Sequence, residues 1–175
     1  MKLKKLKNSE SGFTLIEFVL AVAISGIIIA AITTTILQMF TGGARTSSHM
    51  TAVRQVQSAG YWVSRDGMMA QEEPDIGGDP STNFLTLTWT DWGSEDKDEH
   101  KVVYTLKDMT DGDLKNLQRI YSGPVATETG IIAQYIDPYQ TSCVWDSGVL
   151  TFTVTATVGE QSETRVYEVK PRPGS

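Results

Sequence analysis

Glu17 is the only charged residue between Phe13 and Ile32, inside the stretch GFTLIEFVLAVAISGIIIAAI. A carboxylate at mid-bilayer depth costs roughly 2.5–3.5 kcal/mol on insertion scales, and less where it can snorkel to the interface. A plain single-span anchor explains the length of the run but not the acid in it, which near the end of the segment can reach the interface more cheaply. Other reactive types are scattered. His49 and His100 are isolated and have no metal-ligand spacing. Cys143 is the single cysteine, which excludes an intrachain disulfide. It has no activating neighbour in sequence and reads as a partly buried structural thiol. The glycine pairs and GDP stretch lack the lysine and helix of a phosphate loop. Two acidic clusters remain: Asp91, Glu95, Asp96, Asp98 and Glu99, and then Asp108, Asp111 and Asp113 around Gly112. Calcium takes several oxygen ligands around a glycine turn, so Asp108, Asp111 and Asp113 are calcium candidates. Neither cluster has EF-hand spacing, and solvated hairpin turns account for both. Nothing here composes an enzyme site, and no cofactor is expected otherwise.

The elements follow from periodicity. Residues 13–32 have the length that crosses a hydrocarbon core of about 30 Å as a helix. Lys2, Lys4, Lys5 and Lys7 precede the run, which places the N-terminus in the cytoplasm and the body outside. The run is too long for a signal-peptide core and no small-residue cleavage site follows it. Thr33–Thr35 and the pair Gly42–Gly43 weaken the helix, and a bend or fraying is expected there. The pattern recovers in Met50, Val53, Val56, Gly60 and Val63, one face of a helix ending near Gln71, before EEPDIGGDP. Gly67 is a costly helix residue within it.

Alternation then predicts strands. Leu85, Leu87 and Trp89 share a face in FLTLTWT, as do Val102, Tyr104 and Leu106 in KVVYTLK. LQRIYS is a short third strand after the turn DMTDGD. VLTFTVTATV and ETRVYEVK form an antiparallel pair around the turn GEQS. The fold class is α+β, with a long N-terminal helix packed on an antiparallel sheet. The organisation reads as a basic leader at 1–12, and a helix at 13–72 that spans the membrane to about 33. A linker follows at 73–82 and a β-rich head at 83–175.

The whole chain carries a net charge of −6. The segment before Gly12 is basic, so the body is more acidic than the total implies. An acidic body argues against nucleic acid or an anionic membrane surface as the main partner.

A basic leader followed by Gly12, Phe13, Thr14, Leu15, Ile16 and Glu17, with Gly26 further along an aliphatic helix, resembles the prepilin motif of type IV pilins and type II secretion pseudopilins. The resemblance implies cleavage between Gly12 and Phe13 by a membrane aspartyl peptidase on the cytoplasmic face, and N-methylation of Phe13. Glycine suits such a site because it lets the backbone extend without a side-chain clash. It also implies that Glu17 pairs with the terminal amine of a neighbouring subunit in a filament. The implied partners are other pilins or pseudopilins, the prepilin peptidase and an inner-membrane assembly platform. QVQSAGYWVSRDGMMA with its Arg65–Asp66 pair, then VVYTL, then Arg119 in LQRIY, looks like the J-type minor pseudopilins or the W-type minor pilins. The implied product is a structural subunit in the cytoplasmic membrane with its head outside. A single-span anchored enzyme or binding module, and a DNA-uptake pilin, are the alternatives.

Overall fold

The computed structural model describes residues 12, 14–91, 98–110 and 112–171. The leader to Ser11, Phe13, Glu95, Asp96, Asp111 and the end of the tail lie outside the described residues. The chain divides into two compact units, residues 1–44 and 45–175. Among the described residues one helix, α1, runs Leu15–Met69, and seven antiparallel strands follow. The α+β reading is therefore correct: a long N-terminal helix and a curled antiparallel sheet.

In the first unit the helix is exposed throughout. Its most apolar 18-residue window has a mean hydropathy of 2.7 and none of it is buried. The helix does not fray at Gly42–Gly43 but continues through them. The threonines blamed for weakening the helix are bonded into it. The Thr33 hydroxyl donates to the Ile29 carbonyl at 2.8 Å, and Thr35 to Ala31 at 2.9 Å. Thr41 donates to Leu37 at 3.0 Å. Two glycines cost about 1 kcal/mol each, too little to interrupt an otherwise continuous helix.

The second unit holds the core. Ala52, Val56, Ala59, Gly60, Val63, Asp66 and Gly67 are the buried helix positions. This corrects the expected stripe: Met50 is 52% exposed and Val53 is half-buried. The buried stripe is made of small residues because the sheet approaches closely. A Cβ on Gly60 would fall inside the Tyr167 ring, and one on Gly67 would meet Val169 Cγ1 at 3.0 Å. Gly67, a poor helix former by propensity, is thus, with Gly60, a position where the helix backbone comes close to the sheet.

The strands are β1 Leu85–Asp91, β2 Asp98–Asp108, β3 Lys115–Ser122, β4 Thr127–Ile136, β5 Ser142–Asp146, β6 Val149–Val158 and β7 Gln161–Val169. The order is β1-β2-β3-β4-β6-β5, with β7 also on β6. Of the predicted faces, Leu85, Leu87, Val102, Tyr104, Leu106, Leu150, Phe152, Val154 and Ala156 are buried, whereas Trp89 and Val158 at the strand ends are only half-buried. β4 and β5 were not predicted. β4 reads exposed over its first five residues, and its register with β3 shifts twice between Lys115 and Gln118. Its link to β6 is a single pair, Ile136↔Ala156. Helix side chains bond to β4 beside that narrow link. Ser58 Oγ donates to the Ile132 carbonyl at 2.6 Å, and Gln55 Oε1 accepts from the Gln134 amide at 2.8 Å.

Two turns refine the prediction. Val158 pairs with Gln161, so GEQS contains only a two-residue turn, with Gly159 at φ 59°. Ser147 and Gly148 have φ 50° and 79° between the pair Asp146↔Val149. Positive φ at both central residues is the type I′ hairpin turn.

The helix ends at Met69 because the next residues belong to the sheet edge. The Gln71 amide donates to the Thr88 carbonyl at 3.0 Å, and its side chain bonds both the amide and the carbonyl of Thr90. Asp75 bridges Thr86. The segment expected as a linker thus covers the outer edge of β1.

Candidate functional site

Gly12 is exposed, with nothing near it that a Cβ would meet. Two residues on, Thr14 opens the helix. Its amide donates to Glu17 Oε2 at 2.9 Å and its hydroxyl donates to the same oxygen at 2.8 Å. The Glu17 amide donates back to Thr14 Oγ1 at 3.4 Å. This is a capping box, in which Ser or Thr at the cap and Glu three residues later satisfy each other's orphan groups. The TLIE stretch carried that signature, and the sequence reading passed over it. Glu17 also sits in the first turn, where the helix dipole favours an anion.

A second constellation lies in the head. Asp66 is 1% exposed on the last turns of α1. Tyr104 Oη of β2 donates to its Oδ2 at 2.5 Å. Arg119 of β3 donates to both oxygens, Nε at 2.7 Å and Nη2 at 3.0 Å. A buried carboxylate is tolerable only when paired and bonded in this way. Burial and the adjoining Asp66 charge push the Tyr104 hydroxyl far above its ordinary range. Burial works against the Arg119 charge, but the bond to Asp66 and its field outweigh it and raise the guanidinium further.

Arg119 also lies over the Trp62 ring, 4.9 Å from its centroid, and Arg65 lies 5.2 Å from the same ring. Next to them Trp89, His100 and Tyr121 stack from β1, β2 and β3. Trp89 and His100 are 5.4 Å apart at 9°, and His100 Nδ1 is 2.7 Å from Tyr121 Oη. These side chains, with Asp66, Met69, Asp91 and Glu128, line an open cleft of about 390 Å³.

Residues 7–33 match the prokaryotic N-terminal methylation motif. No curated protein and no solved structure matches the chain. The match includes Gly12, Phe13 and Glu17 and extends over the apolar run. With the exposed apolar helix it supports a pilin- or pseudopilin-like protein with a single-pass inner-membrane anchor. A prepilin-type motif implies processing by the prepilin peptidase and association with other pilins.

The remaining predicted residues fall elsewhere. Asp108 pairs with Lys115, which lowers the Asp108 pKa and raises that of the lysine. Asp113 is exposed in the β2–β3 turn, and Asp111 is outside the described residues. Among the described residues no three His, Cys, Asp or Glu side chains converge as a metal site. Cys143 is half-buried and burial pushes its thiol pKa up. Arg65, Asp66 and Arg119, quoted in the sequence only for their likeness to minor subunits, meet around Trp62. The Tyr104 bond and the aromatic stack were not foreseen. No periodicity reports which strands lie side by side.

Proposed function

We propose that the chain is a minor pilin or pseudopilin, of the J-type or W-type kind, cut after Gly12 and N-methylated at Phe13. It works as a structural subunit of a type II secretion pseudopilus or a type IV pilus, without a catalytic role of its own. The head lies outside the cytoplasmic membrane, and the assembly platform draws the subunit into a filament. The observation that carries this reading is the N-terminal methylation motif joined to an apolar helix with none of its most apolar window buried. Such a helix needs lipid or other helices around it.

Glu17 is the assembly group in this account. Once residues 1–12 are removed, the amine of Phe13 is one helical turn away from it. Within a filament Glu17 faces the amine of a neighbouring subunit, where pairing offsets the cost of removing both charges from water. The acidic head favours unlike, complementary neighbours over copies of itself.

Glu17→Ala tests the reading in cells. The variant is inserted and cut as the wild type is, but its recovery in sheared filaments falls at least tenfold. Wild-type recovery would remove Glu17 from assembly. Abundant filaments made of this protein alone would overturn the minor-subunit assignment.

A further inference from the structure

From Met50 to Met68 the exposed positions of α1 are Met50, Arg54, Gln57, Tyr61, Arg65 and Met68. They recur at spacings of four, three, four, four and three, which is one helix face. It lies opposite the stripe that packs on the sheet, where a surface helix ordinarily carries polar residues. Here Met50, Tyr61 and Met68 are 52%, 61% and 54% exposed. The helix is thus apolar on the side it buries and half apolar on the side it shows. We propose that this outer face of the head helix is a docking surface for an amphipathic, acidic helix of an unlike partner protein.

Charge selects the occupant. Arg54 and Arg65 are the only charged residues on this face, in a chain whose net charge is −6. Apart from Glu17, the only acid on α1 is the buried Asp66. Among the described residues neither arginine has a carboxylate within ion-pair distance, whereas Arg45, Arg119 and Arg165 are paired with Glu160, Asp66 and Glu163. Arg65 lies over the Trp62 ring, 5.2 Å from its centroid. Stacking leaves the N–H edge of a guanidinium free, and that edge binds a carboxylate. The two arginines are three turns apart, about 16.5 Å along the axis, with Tyr61 between them. A helix laid alongside meets that spacing with two carboxylates three turns apart and an apolar residue between. A second copy of the chain does not fit, because its face sets arginine against arginine and offers no acid. An interfacial membrane helix separates its cations from its apolar face. Here the two share one face, as in protein interfaces, where arginine, tyrosine and methionine are enriched.

This inference rests on the reading of the chain as one subunit among several, yet its test does not use assembly. The full chain in non-ionic micelles, isotopically labelled at arginine, is titrated with a soluble helical peptide of alanine, glutamine and leucine. Two glutamates three turns apart flank its leucines, and a parallel peptide has lysines in their place. The glutamate peptide should shift the side-chain signals of Arg54 and Arg65, leave Arg119 and Arg165 unmoved, and saturate in the millimolar range or below. Arg54→Gln and Arg65→Gln should each weaken it about threefold, in line with loss of one exposed ion pair. Tyr61→Ala should weaken it by at least as much. Each change is at an exposed position, and an unmoved Arg119 signal shows that the fold survives. No response to the glutamate peptide, equal binding of the lysine peptide, or an unchanged affinity in all three variants would overturn the proposal. Shifts of Arg54 and Arg65 with protein concentration alone would make the occupant a second copy. Larger shifts on doping the micelles with phosphatidylglycerol than on adding the peptide would make it a membrane surface. Either result would overturn the proposal as well. Failure here leaves the processing of Gly12–Phe13 and the role of Glu17 standing.

Discussion

Asp66 is the residue on which the head's polar core depends. Three hydrogen bonds hold it, and removing one partner leaves a charge buried without compensation. Arg119→Ala should therefore lower stability by about 3–5 kcal/mol. Replacing Arg119, Asp66 and Tyr104 together with apolar residues of similar volume should cost much less. Thermal melting of the three forms checks this. Tyr104 adds a pH dependence with a definite sign. Its folded pKa is raised, by burial first and by Asp66 next, above the value near 10 of an ordinary tyrosine. The unfolded chain then releases a proton that the folded one keeps. The contribution is complete below pH 10 and declines above it, by up to about 1.4 kcal/mol per pH unit. Melting temperatures should fall more steeply above pH 10 in the wild type than in Tyr104→Phe. Parallel slopes would mean that Tyr104 ionises in the fold. Little of this was legible in the sequence. Arg65–Asp66 and Arg119 stood out only by likeness to other chains. Tyr104 was read as an inward apolar residue, which is half of its role.

At the scale of elements, the long helix was visible from its unbroken apolar run and the weaker stripe that follows, and five of the seven strands from alternation or from the turns that bound them. β6 alternates cleanly, and its inward residues Leu150, Phe152, Val154 and Ala156 are fully buried. β4 escaped because its first half is exposed on both faces and its second half is bulged. The bulk of the helix face was misjudged in the same way. Periodicity located the stripe, but small residues dominate it, since Tyr167 and Val169 press against Gly60 and Gly67. Tyr167 Oη also donates to the Val56 carbonyl at 3.1 Å. Gly60→Ala should cost about 1–3 kcal/mol through overpacking. Combined with Tyr167→Ala, its added cost should shrink, because the clash is gone and the two changes are coupled. Gly43→Ala, where nothing stands within reach, should instead stabilise the helix by up to about 1 kcal/mol. Equal losses from both glycines would contradict the close approach of helix and sheet.

At the scale of the molecule, residues 45–175 form a compact unit with its own core. A fragment from Arg45 onward should be soluble, monomeric and cooperatively folded. A fragment from Asp75 onward lacks the covering helix and should aggregate through the exposed face of Leu87, Val102, Phe152 and Val154. Light scattering separates these outcomes, and a well-folded short fragment would show that the helix is dispensable. The N-terminus carries the central claim, because everything proposed for the filament follows from a cut at one bond. The protein is extracted from the membranes of a cell with an active prepilin peptidase, and its N-terminal peptide is read by mass spectrometry. The account predicts a chain that begins at Phe13 and carries one methyl group on its amine. A chain that still begins at Met1, or one cut anywhere but after Gly12, would contradict it.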